Sequence, residues 1–152
     1  MKTSELIGPA LDWAVAKCEG EEVSVVIVDG KAEIWRNEDI YDNYTGQLCY
    51  TNTGGSPRFL RNGKPVGVWG NPMSSYLDWP QAGPIIEREC IATYASGACS
   101  VSPKNPDYWV AEILDTSEIL TQYGPTPLIA AMRCYVASKL GDEVEIPSEL
   151  QP

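Results

Sequence analysis

Aromatic and cationic side chains, rather than nucleophiles, carry the chemical reach of this sequence. Five tryptophans (Trp13, Trp35, Trp69, Trp79 and Trp109) and eight tyrosines stand beside a single phenylalanine. Indole and phenol rings pair a flat apolar face with a polar edge, which suits stacking on a base or on a partner surface. Trp35 and Trp109 sit in strand patterns and are expected to pack in the core. Trp13 lies off the apolar stripe of its predicted helix, beside Asp12 and Lys17, and Trp79 precedes Pro80 in an extended loop pattern. Two glycine-proline pairs, Gly83-Pro84 and Gly124-Pro125 ahead of Thr126, mark predicted helix starts. Unpaired N–H groups and the positive dipole end favour an anion such as phosphate there, although every helix has such an end. Arg88 and Arg133 follow within the same helices and would neutralise the charge of that anion. The candidate ligand-binding set is therefore Trp13, Lys17, Trp79, Gly83, Pro84, Arg88, Gly124, Thr126 and Arg133. It contains no catalytic residue and no metal ligand, and it calls for no cofactor.

Other chemistries find little support. The chain has no histidine, which removes the commonest general base, the commonest transition-metal ligand and every Ser-His or Cys-His pairing. Cys18, Cys49, Cys90, Cys99 and Cys134 form no C-x-x-C pair and are odd in number, so they read as buried thiols rather than as a disulfide framework or a zinc site. Glu87 and Glu89, two apart on a helix, point in different directions. Glu38, Asp39 and Asp42 lack the spacing and the glycine of a calcium loop. Arg58, Arg61 and Lys64 flank an Asn-Gly turn and read as a solvated hairpin tip.

The 21 acidic and 11 basic residues give a formal charge of -10. That charge repels a phosphate backbone, so duplex nucleic acid is disfavoured as a partner, whereas a small nucleotide-like ligand in a local pocket is not. The sequence has no apolar run of about 18 residues and no charged-then-apolar leader pattern, so it reads as soluble, intracellular and without a membrane partner. Its 152 residues suit one domain, expected over residues 1–146, with 147–152 as an irregular tail.

The element expected to position these groups is a helix from Pro127 to Leu140. Thr126 is placed as its N-cap, Pro127 at its first position and Gly141 as its left-handed stop. Leu128, Ile129, Met132, Tyr135, Val136 and Leu140 form an apolar face, while Ala130, Cys134, Ala137 and Ser138 form a smooth one that leaves room for a second copy of the chain. A second helical pattern covers Thr3 to Cys18, its firm part starting at Gly8-Pro9 and closing at Glu19-Gly20. Val23–Val28, Asp29-Gly30 and Lys31–Arg36 predict a two-residue hairpin. Asn37 to Pro57 reads as a long surface excursion. An edge hairpin is expected around Asn62-Gly63, a loop from Asn71 to Gly83, and a short helix opening at Pro84. Strands are expected at Ile91–Ala95 and Tyr108–Ile113, a helical turn at Thr116–Leu120, and a poorly held acidic tail after Gly141. The sum is an α+β fold, a small antiparallel sheet of hairpins packed against a central C-terminal helix and an N-terminal helix.

Three stretches resemble the NinX-like family of tailed-phage proteins. They run from Ala10-Leu11-Asp12-Trp13 to Glu19-Gly20, from Gly83-Pro84-Ile85-Ile86 to Glu89, and from Pro127-Leu128-Ile129-Ala130 to Leu140-Gly141. The resemblance implies a small phage protein expressed in a bacterial host cytoplasm. It implies no established activity, so any function rests on the residues and on analogy. One expectation is a non-enzymatic anti-defence protein that sequesters a nucleotide-derived host immune signal, with Trp13 or Trp79 stacking and the Gly83 and Gly124 turns holding phosphate. The alternative is an acidic interaction module that inhibits or redirects a host protein.

Overall fold

The computed structural model describes residues 1–28, 30–41, 44–49, 58–61, 64–67, 79–96, 108–115 and 118–151. At its centre is a helix, Pro127–Leu140 (α3), with both ends built as its sequence dictates. Thr126 Oγ1 accepts from Ile129 N at 3.2 Å, and Gly141, at φ 85°, turns the chain out of the helix while its N–H donates to Ala137 O at 2.9 Å. Apolar side chains on all sides mark an interior helix. The smooth side is as buried as the large one: Ala130, Cys134 and Ala137 are covered together with Leu128, Met132, Tyr135 and Val136. Cys134 Sγ lies 3.5 Å from Leu120 O, so the chain's own sheet takes the face that the sequence left open for a second copy.

A 3-10 turn over Thr3–Glu5 precedes the N-terminal helix Gly8–Cys18 (α1), which has proline in its first turn, the start expected from the sequence. Its end is a Schellman motif: Gly20 N donates to Lys17 O at 3.1 Å and Glu21 N to Ala16 O at 3.0 Å, with Gly20 at φ 75°. Asp12, expected on a flank, is 4 % exposed. The third helix, Trp79–Arg88 (α2), corrects the reading of a loop to Gly83 and a start at Pro84. It begins four residues earlier than Gly83, so Gly83 and Pro84 lie inside it. Proline clashes with a Cβ on a helical residue before it, and glycine has none, which lets the helix run through the pair.

Strands Val23–Val28 (β1) and Lys31–Tyr41 (β2) pair antiparallel with Val28 opposite Lys31, the register of the predicted two-residue turn. Within the excursion expected from Asn37, the described residues to Cys49 are ladder instead: β2 continues to Tyr41 and pairs with Tyr44–Cys49 (β3), with an irregularity between Asp39 and Tyr41, and residues 42–43 lie outside the described residues. Backbone pairing needs no apolar alternation, and this polar stretch offered none. Residues 50–57 lie outside the described residues. Arg58–Arg61 (β4) and Lys64–Gly67 (β5) complete a five-stranded sheet in the order β1-β2-β3-β4-β5, which leaves β5 at an edge, where its proline is tolerated.

A second antiparallel sheet, β6-β7-β8, consists of Ala92–Ala95, Trp109–Asp115 and Glu118–Gly124. The last of these corrects the helical turn expected at Thr116–Leu120 for residues 118–120, which are strand; residues 116–117 lie outside the described residues. Asp115 opposes Glu118 across a two-residue connection, and pairing with β7 under α3 overrides the weak local pattern. The combination is an α+β fold.

The stretch after Gly141 is held, contrary to expectation. Thr3 N donates to Asp142 O at 2.8 Å, Val144 N to Met1 O at 2.9 Å, and Met1 N to Val144 O at 2.8 Å. Val144, Ile146 and Leu150 are buried in the core beside Leu6 and Leu11, and Ser148–Leu150 makes a 3-10 turn. The alternation Glu143-Val144-Glu145-Ile146, two residues out and two in, is the strand-like signal in a tail that its charge made look irregular.

Candidate functional site

A groove lined by two of the predicted site residues lies among α1, the end of α3 and residues 143–148. Its volume is about 710 Å³, within the range of small-ligand sites. Trp13 and Lys17 of α1, Leu140 at the end of α3, and Glu143 to Ser148 line it. Helical spacing brings Lys17 back over Trp13, and its Nζ lies 4.8 Å from the ring centroid, a cation–π contact within one helix. Within the 143–148 segment, Val144 and Ile146 are buried while the alternating Glu143 and Glu145 are exposed. An indole face, a cation and two carboxylates therefore share one cleft. The sequence reading found the α1 residues of this lining and missed those of the 143–148 segment.

Of the nine predicted residues, this groove takes Trp13 and Lys17. Trp79 is 57 % exposed at the first position of α2. Gly83 is the fifth residue of that helix, a position whose N–H belongs to the helical ladder rather than to a ligand, and Pro84 beside it has no N–H. Gly124 is buried against the first turn of α3: a Cβ there would lie 2.6 Å from Ala130 N and 3.0 Å from its Cα. Its glycine serves close approach of strand and helix. The Thr126 hydroxyl caps the same turn from within the chain, and Pro127 contributes no donor.

The two arginines assigned to a ligand bind protein. Arg133 is half-buried, with Nε donating to Leu6 O at 2.8 Å and Nη1 to Tyr123 O at 2.7 Å, so it ties the N-terminal segment to β8. Arg88 Nη2 donates to Glu19 Oε1 at 2.6 Å, and its Nε donates to Glu89 Oε1 at 3.0 Å. Around it the Tyr135 hydroxyl donates to the same Glu19 oxygen at 2.6 Å, and Lys139 Nζ lies 2.9 Å from Glu89 Oε2. The ends of all three helices are thereby joined by charge-assisted hydrogen bonds.

This junction is built to hold, and its electrostatics do not activate a nucleophile. Burial, with Glu19 next to it, pushes the Cys18 thiol up to about 12, and burial raises Cys134 to about 11. Both are neutral at ordinary pH and so lack the thiolate that reacts. Burial, then the hydrogen bond to Glu19, raises Tyr135 as well, whereas Lys139 holds the Glu89 carboxyl below its usual range. Cys90 departs from the buried thiol expected of it and is exposed. Among the described residues, no three His, Cys, Asp or Glu side chains gather as a metal site, and no helix is long and apolar enough to cross a membrane.

No curated protein matches the chain. The family model described as Bacteriophage P22, NinX matches residues 2–139, the span that contains all three helices but for the last residue of α3, and the chain belongs to that family.

Proposed function

We propose that this phage protein is a non-enzymatic, acidic interaction module that acts in the bacterial host cytoplasm by engaging a basic surface of a host protein. The observation that carries this reading is the groove itself, whose lining joins an indole that already attracts a cation to two exposed glutamates. The formal charge of -10 supports it at long range, because an excess of one sign speeds encounter with a partner of the other. Immobilised protein is expected to retain a host protein at low ionic strength and to release it steeply as salt rises. Retention of no host protein at low salt would end this reading.

Sequestration of a nucleotide-derived immune signal remains a second reading, favoured by one observation. Trp13 and Lys17 present a stacking face and an ammonium in a groove large enough for a nucleotide. The helix-end donors first assigned to its phosphate are not available at Gly83 or Gly124, so Lys17 would have to hold that charge beside Glu143 and Glu145. Cyclic oligonucleotides and ADP-ribose derivatives would test it by thermal shift, since a ligand at about 100 times its dissociation constant adds roughly 2.7 kcal/mol. A panel without any shift would remove it.

A further inference from the structure

The aromatic wall of the groove has an occupant of its own. Lys17 Nζ sits 4.8 Å from the Trp13 ring centroid, yet Lys17 is exposed, so its ammonium holds the ring in competition with water. Because both residues belong to α1, the contact exists in the free protein and must give way before any other group can use that face of the ring. Glu143 and Glu145 line the same groove and are exposed, with the backbone of their segment fixed by the pairing of Val144 with Met1 and the burial of Ile146. Leu140, 41 % exposed, adds apolar surface to the groove's lining.

We propose that the groove receives an arginine side chain from an extended basic segment of a partner protein, and that Lys17 is a built-in competitor for the Trp13 ring. This rests on the reading of the chain as a module for a basic partner, and adds the place and the side chain. A guanidinium is planar and more weakly hydrated than an ammonium, so it stacks on indole at a lower desolvation cost and can displace Lys17 into solvent. Its fork suits the carboxylates of Glu143 and Glu145, and its aliphatic stem suits the apolar surface of Leu140. A phosphate entering the same cleft would meet two carboxylates for one ammonium.

The test is fluorescence anisotropy of a labelled peptide alternating arginine with alanine, and of its lysine counterpart, with the full chain. Lys17→Ala is expected to bind the arginine peptide about threefold more tightly, the scale of an exposed cation–π contact. The gain for the lysine peptide should be smaller, which a change in net charge alone would not produce. Glu145→Gln is expected to weaken binding and flatten its salt dependence, and Trp13→Leu to abolish the preference for arginine. Lys17 and Glu145 are both exposed, and a gain in affinity cannot arise from misfolding. Equal or weaker binding by Lys17→Ala overturns the competitor role. Equal binding by the wild type and all variants overturns the groove while leaving an acidic module elsewhere on the surface. No binding of either peptide by the wild type removes both readings. Binding of a labelled cyclic dinucleotide that is lost in Lys17→Ala overturns the arginine assignment in favour of phosphate.

Discussion

Gly83 and Gly124 have the same local sequence, glycine before proline, and opposite situations. Gly83 sits in the middle of α2 with open space around it, whereas Gly124 presses on the backbone of α3. Gly124→Ala is expected to cost about 1–3 kcal/mol in urea unfolding, because the atom it meets is backbone and cannot swing aside. Nothing in the dipeptide separates the two cases, since the difference lies in what another element brings against the glycine. The same holds for Arg133, whose charge suggested a ligand and whose guanidinium bridges Leu6 and Tyr123 carbonyls. Arg133→Ala should lower stability by about 1–3 kcal/mol through the carbonyls left unpaired. Arg133→Lys should restore little of it, because an ammonium cannot span both. Differential scanning calorimetry of the pair checks this, and full recovery by lysine would refute the bridging role.

At the scale of elements, whatever is decided within a few residues was legible. The cap, first-turn proline and stop of α3, the Gly8-Pro9 start of α1 and the Asp29-Gly30 register all follow from neighbours in sequence. What depended on distant partners was not. β8 forms because β7 and α3 lie beside it, and β2 runs to Tyr41 because β3 pairs with it. The start of α2 was misplaced because Pro84 looks like a beginning and is an interruption. Its end repeats the Schellman pattern of α1, with Cys90 N donating to Glu87 O and Ile91 N to Ile86 O, but a cysteine at φ 53° stands where α1 has Gly20. A left-handed non-glycine residue costs about 1–2 kcal/mol, offset in part by the greater freedom glycine gives the unfolded chain. Cys90→Gly should therefore raise the unfolding free energy by about 1 kcal/mol in a urea titration, and a loss would show that the cysteine side chain contributes more than its backbone strain takes away.

For the molecule as a whole, the helix junction sets the response to alkali. The Cys18 thiol ionises near 9.0 when unfolded and at about 12 when folded, so the native state holds a proton that the unfolded state releases. Its contribution is complete below pH 9 and is lost as the pH rises toward 12, and the raised Tyr135 phenol acts in the same direction. Urea midpoints measured across that window should fall, and Cys18→Ala should fall less steeply. The groove was half legible for a related reason: Trp13 and Lys17 are four residues apart, whereas the glutamates that line it with them come from some 130 residues further along the chain. That separation orders the site in time. During synthesis the indole is made long before Glu143 and Glu145, so an unfinished chain carries the ring without the residues that complete the groove, which exists only after translation has passed residue 148.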